Sequence, residues 1–227
     1  MIIQIDKDGT LQNLEKMLQK ADSDASVEAI MVLACDDNNF TPDNSDSLFK
    51  KVKKPIFGGI FPQILHNTEN LLHGTIVAGF RHKINPCIIE NISRADSNLD
   101  KLIEDITLEM PAADNTIFLF VDGMSRTIAS LLVSIFNHLG LLSNYIGGGA
   151  GSLSFKPMHC VITSKGLLMD AAVLAFADMG SGVGVAHGWH PVSEPLKITS
   201  SRHNSVVSFD WKPAFEVYRE IIAKVLN

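Results

Sequence analysis

Tyr145-Ile146-Gly147-Gly148-Gly149-Ala150-Gly151 is the stretch on which the reading of this chain turns. Four glycines in five residues, following an apolar segment, require backbone that takes unusual torsions or lies close against something else. A phosphate cradle needs a helix opening directly after the glycines, and its Walker form needs Gly-Lys-Ser/Thr. Here Ser152-Leu153-Ser154-Phe155-Lys156-Pro157 follows, which reads as loop. What remains is a turn leaving a strand, with exposed N–H groups and little side-chain bulk. It is read as a ligand-facing wall made by Gly147, Gly148, Gly149 and Gly151, or as tight packing between sheets.

Downstream, Ala186-His187-Gly188-Trp189-His190-Pro191 forms a second glycine turn, placed between two expected strands. A His-x-x-His pair alone is too little for zinc. Each histidine reads first as a residue that ties the turn together; the alternatives are a hydrogen bond to a small ligand or an axial haem ligand. Trp189 reads first as packing, although an indole at a cleft mouth keeps a polar N–H for a ligand. Ligand-binding candidates here are His187, Gly188 and Trp189.

Working outward, period and punctuation predict helices over 10–21, 45–53, 99–110 and 125–139, the last with Ser125 as N-cap and Gly140 as stop. A further helix follows Pro213, with Phe215, Val217, Tyr218, Ile221, Ile222 and Val225 on one wide face. Strands are expected near 27–35, 55–60, 71–81, 85–92, 116–121, 143–148, 158–164, 168–177, 181–187, 194–200 and 204–210. Two segments share a grammar in which Asp36 matches Asp122, Gly58 matches Gly147 and Phe80 matches Phe176. The fold class expected is α/β, with mixed β-sheets, helices on the outer faces and two pseudo-repeated αβ lobes. These lobes, about 1–92 and 93–227, would build one domain over 1–227.

Composition narrows the function. The chain has 227 residues, is 46% hydrophobic and carries a net charge of −6. The one lysine cluster, Lys50-Lys51 and Lys53-Lys54, reads as a helix end before Pro55, so no basic face for nucleic acid is expected. No apolar run approaches the ~20 residues that cross a bilayer. The N-terminus lacks the basic start and small-residue cleavage site of a secretory signal, so a cytoplasmic location without membrane insertion is expected. Cys35, Cys87 and Cys160 are widely spaced and odd in number, which fits buried thiols rather than disulfides or zinc.

Catalysis finds thin support. Asp122-Gly123-Met124-Ser125-Arg126 has the order of a strand-to-helix elbow but not Gly-x-Ser-x-Gly. A hydrolase using Ser125 or Cys160 is the enzymatic alternative, and it lacks a paired base. Because α/β folds hold ligands where strand ends meet helix N-termini, Asp122, Ser125 and Arg126 are pocket-rim candidates, with Arg126 able to hold a carboxylate.

The glycine run, the His-Gly-Trp turn and Ser208-Phe209-Asp210-Trp211-Lys212-Pro213-Ala214-Phe215-Glu216-Val217-Tyr218, in this order, resemble the N-terminal part of the FIST sensory domain. The resemblance runs from about Asn115 to the end. Before it, Ile56-Phe57-Gly58-Gly59-Ile60-Phe61-Pro62 stands where the family carries a Gly-Cys-Ser/Thr-Thr-x-Gly strand end, and Ser152 replaces a frequent acidic residue. The resemblance implies a small-molecule-binding signal-input domain, non-enzymatic, whose ligand is an amino acid or similar small polar molecule. It further implies, as partners, a C-terminal FIST portion or an output domain such as a histidine kinase or diguanylate cyclase. Full modules continue into that second portion, so a half-length relative or part of a longer protein is expected. No cofactor is expected; the alternative in the same family is a haem-binding nitric oxide sensor, with His187, His190 or His159 as ligand.

Overall fold

A computed structural model describes residues 1–94, 98–108, 116–141, 143–186, 188–202 and 205–225. The chain divides into two compact units, Met1–Val183 and Gly184–Asn227.

The first unit begins with β1 (Ile2–Asp6), α1 (Leu11–Ser23), β2 (Ala29–Cys35), α2 (Pro42–Lys51) and β3 (Ile56–Phe61). The short hairpin β4 (Ile64–His66) and β5 (Glu69–Leu71) leads to β6 (Thr75–Phe80). Then come β7 (Ile84–Glu90), α3 (Leu99–Leu108), β8 (Thr116–Asp122), α4 (Ile128–Leu139) and β9 (Asn144–Ala150). A hairpin of β10 (Val161–Thr163) and β11 (Gly166–Leu168) precedes β12 (Ala171–Ala177).

These strands make a six-stranded sheet, β1-β6-β2-β3-β10-β11, and a four-stranded sheet, β7-β12-β8-β9. In each, one pair is parallel: β2 with β3, and β8 with β9. The order β1-β6-β2-β3 recurs as β7-β12-β8-β9, with the same strand directions. The sheets belong to the expected mixed α/β class, but the hairpin β10–β11 comes from late sequence and completes the early sheet, pairing Val161 with Gly59.

Period-two alternation assigns the faces. On β8, Phe118 and Phe120 turn to the first sheet, while Ile117, Leu119 and Val121 pack with Leu131 and Ile135 of α4 and Ile103 of α3. On β12, Val173, Ala175 and Ala177 take the first side and Ala172, Leu174 and Phe176 the second. Both faces of these strands are therefore covered, which explains their continuous apolar runs. Between the sheets sits an aromatic cluster: Phe57 lies 5.5 Å from Phe118 and 6.3 Å from both Phe80 and Phe120, measured between ring centres. Leu14, Met17, Leu18 and Ala21 of α1 and Phe49 of α2 extend the same core on the other face of the first sheet.

Several boundaries differ from the sequence reading. Helix α2 starts earlier than 45, at Pro42, because Thr41 and Asn44 form a reciprocal capping box. Helix α4 starts later than 125, after Thr127, and ends as expected at Gly140, whose N–H donates to the Phe136 carbonyl at 2.9 Å. Residues 109–110 of the expected third helix lie outside the described residues. The lysine cluster serves helix ends: Lys54 Nζ donates to the carbonyls of Ala21 and Asp24 at the end of α1.

The repeat landmarks also shift. Gly58 lies opposite Val32 and Gly147 opposite Leu119, so the two glycines occupy matching places. Counting from them, Cys35 rather than Asp36 matches Asp122, and Ala177 rather than Phe176 matches Phe80. One residue of slip reverses a strand's faces, so the two phenylalanines belong to different cores.

The second unit contains β13 (Ile198–Arg202), β14 (Ser205–Phe209), β15 (Lys212–Pro213) and α5 (Ala214–Val225), with the sheet ordered β13-β14-β15. Residues 181–186, expected in a strand, take no regular structure. Among the described residues of this unit none is buried.

Candidate functional site

The site grows from the end of β8. This strand is buried throughout, and Asp122 closes it at 2% exposure. A buried carboxylate demands donors. Asp122 receives them from two backbone N–H groups, Met124 at 2.9 Å and Asp170 at 2.7 Å. Asp170 in turn accepts the Ser125 hydroxyl at 2.8 Å and the Ser93 N–H at 3.2 Å. Ser93 Oγ accepts the Arg126 N–H at 2.9 Å, and the Thr127 hydroxyl donates to the Ile92 carbonyl. Three connections, after β7, after β8 and before β12, are thereby tied together in front of α4.

Ser125 is thus not the helix N-cap the sequence indicated; its hydroxyl is committed to Asp170, and Thr127 takes the N-cap position. Around this network lies a depression of about 240 Å³ bordered by Ser93, Asp122, Ser125, Arg126, Pro157 and Met169, among others. The Arg126 side chain is exposed and makes no ion pair or hydrogen bond among the described residues.

On the other side of the same β8–α4 connection, a groove of about 430 Å³ runs between β9 and α4. Gly147, Gly148 and Gly149 form its floor, Ile128 and Leu132 its helical wall, and Tyr145 its end. The glycine run is therefore strand rather than the expected turn: these three residues lie within β9, and only Gly151 follows it. Gly147 has φ +151°, and a Cβ there would sit 1.8 Å from the Leu119 carbonyl oxygen. Gly148 has open space around its missing Cβ. Gly151, φ +144°, donates its N–H to the Ile60 carbonyl at 2.8 Å, joining the end of β9 to the first sheet. The Tyr145 hydroxyl donates to the Gly140 carbonyl at 2.8 Å, and burial pushes its pKa up.

The structure thus gathers the first set of candidates, Asp122, Ser125 and Arg126 with the glycine strand, at one end of β8 and β9. The second set stands apart in sequence and unit. His187 lies outside the described residues; Gly188, Trp189 and His190 belong to the second unit, are exposed, and sit in irregular chain rather than between two strands. Sequence reasoning missed Asp170, Ser93, Met169, Ile128 and Leu132. The Ser125–Asp170 and Arg126–Ser93 bonds span 45 and 33 residues, and no local pattern encodes such distances.

Cys160 is fully buried just before β10, and burial first, then the neighbouring Asp122 carboxylate, pushes its thiol well above the ordinary value. A thiol so held stays protonated and unreactive. His159 is exposed, and neither of the two grooves described has a histidine in its lining. Among the described residues no group of three or more His, Cys, Asp or Glu side chains is placed to hold a metal. No described helix is long and apolar enough to cross a membrane.

A family model described as FIST N domain matches residues 30–212. Comparison with curated proteins gave no match. The matched span runs from β2 to β15 and takes in the four-stranded sheet, the six-stranded sheet apart from β1, the glycine strand and the β8–α4 connection. The chain belongs to the FIST N domain family, a family of sensory domains.

Proposed function

We propose that the protein is a signal-input domain that binds a small amphipathic molecule, an amino acid or close analogue, at the joined ends of β8 and β9. The observation that carries this reading is the groove of about 430 Å³ floored by Gly147–Gly149, a volume within the ~300–1,000 Å³ of small-molecule sites. Its walls are apolar, suited to a side chain, and we take Arg126, exposed on the β8–α4 connection that borders the groove and without a side-chain partner among the described residues, as the cation that would turn to the ligand's carboxylate. We read the site as non-catalytic, because the Ser125 hydroxyl is bound to Asp170 and the Cys160 thiol is buried and protonated. Occupancy would be passed to an output partner, such as a histidine kinase or diguanylate cyclase, from a cytoplasmic position.

Thermal shift against a panel of amino acids tests the reading. A ligand at a hundredfold excess over its Kd adds ~2.7 kcal/mol of stability. The carboxylate role predicts that the decarboxylated amine binds poorly and that Arg126→Gln costs about 1.5–3 kcal/mol of binding. No stabilisation by any member of the panel, or a response indifferent to Arg126→Gln and to the carboxylate, overturns it.

A further inference from the structure

The depression at the end of β8 is bordered by charges of both signs that do not pair. Arg126 and Asp170 line the same hollow of about 240 Å³, yet among the described residues neither side chain makes an ion pair. Ser93 stands between them: its N–H donates to Asp170 Oδ2 at 3.2 Å, and its Oγ accepts the Arg126 N–H at 2.9 Å. Opposite charges left apart in one hollow are complementary to a molecule that carries the reversed pair on neighbouring atoms.

Two carboxylates border the depression, and they differ in what they can still accept. Asp122 is 2% exposed, and each of its oxygens takes a backbone N–H. Asp170 is half-buried. A carboxylate has about four lone-pair sites, and Asp170 gives one on each oxygen to the Ser125 hydroxyl and the Ser93 N–H. Those bonds orient the group and leave acceptor capacity unused. Its backbone is fixed as well, at φ +49°, a left-handed conformation that Asp tolerates, with its N–H bound to Asp122.

One residue divides this depression from the glycine groove. Gly123 lines the groove, whereas its neighbours Asp122 and Met124 line the depression. Every residue in the two linings belongs to Met1–Val183.

We propose that Asp170 binds the α-ammonium group of the ligand and so restricts the site to free α-amino acids. The inference rests on the ligand reading above, which gives the carboxylate to Arg126, and adds the group that selects for the amine. The ammonium lies against Asp170, the carboxylate meets Arg126, and the side chain passes over Gly123, which has no side chain to obstruct it, into the groove. An α-hydroxy acid brings no cation to Asp170, and an N-acyl amino acid replaces the cation with a neutral amide. A simple anion would meet the Asp170 carboxylate as well as Arg126. Ser125 and Ser93 are positioning residues for the Asp170 carboxylate.

Calorimetric titration of the full chain with the proteinogenic L-amino acids, each beside its α-hydroxy acid and its N-acetyl derivative, is the test. Wild type is expected to bind an amino acid at least about tenfold more tightly than either analogue. Asp170→Asn keeps a carbonyl for the Ser125 hydroxyl and a side chain that tolerates the left-handed backbone. It is expected to weaken the amino acid at least about tenfold and to abolish the preference over the hydroxy acid. Should the variant misfold, hydrogen exchange in wild type decides instead: the bound amino acid slows the Ser93 and Asp170 amides, and no slowing there overturns the proposal. If wild type binds no amino acid, the ligand reading fails and this inference falls with it. Binding that responds to Arg126→Gln yet shows no preference over the hydroxy acid, or keeps that preference in Asp170→Asn, overturns this inference alone.

Discussion

Gly147 and Gly148 are neighbours in one strand and do different work. Gly147 needs its hydrogen: φ is +151° and a Cβ would strike the Leu119 carbonyl, as a Cβ at Gly58 would strike the Val32 carbonyl. Gly147→Ala is therefore expected to destabilise the fold by more than about 3 kcal/mol in urea unfolding. Gly148→Val should leave stability within about 1 kcal/mol of wild type while filling the groove and weakening ligand binding at least about tenfold. Equal stability losses at the two positions would refute this division. The sequence marks the run but cannot separate its members, because the distinction depends on which carbonyl of β8 stands opposite each glycine. At Cys160, the native pKa is raised above the ordinary thiol value of 9.0. The native state thus keeps a proton that the unfolded chain releases. The associated stability is full below about pH 8.5 and is lost as pH rises beyond it, at up to about 1.4 kcal/mol per pH unit. Urea midpoints of Cys160→Ala should accordingly fall less steeply than wild type between pH 8 and 10.

At the scale of elements, the β8–α4 connection depends on Asp122 as acceptor for two N–H groups. Asp122→Ala leaves the Met124 and Asp170 N–H groups without it, and the expected cost is about 1–3 kcal/mol by chemical denaturation. A change below 0.5 kcal/mol, the level of an ordinary surface substitution, would show that the network does not hold the connection. Most elements here are legible in sequence: β8 as a continuous apolar run, α4 as a periodic one closed by Gly140. Others are not. β1, Ile2-Ile3-Gln4-Ile5-Asp6, is a short edge strand whose partner β6 lies some seventy residues on, so nothing local declares it. Ser181–Ala186 has the alternation of a strand, yet a strand exists only when another pairs with it, and among the described residues none does. For Asp122, Ser125 and Arg126, the general rule that ligands sit where strands meet helices located the rim without revealing what holds it.

For the whole molecule, the two units differ in how they are made. Met1–Val183 carries both buried cores, whereas Gly184–Asn227 has no buried residue among those described. Limited proteolysis with thermolysin is expected to cut first between Val183 and Ile198, where Val185 and Trp189 are 90% and 84% exposed, and to leave a resistant fragment ending near Val183. First cleavage inside residues 1–177 would contradict that ordering. The hairpin β10–β11 has a consequence for synthesis. Strand β3 waits for Val161–Thr163, about a hundred residues downstream, before its second edge is covered. At the ribosome's ~5–20 residues per second, that is roughly 5–20 s during which Ile56-Phe57-Gly58-Gly59-Ile60-Phe61 presents a bare apolar edge. The nascent chain is most open to mispairing in that interval, and a holdase bound to β3 would protect it until the hairpin emerges.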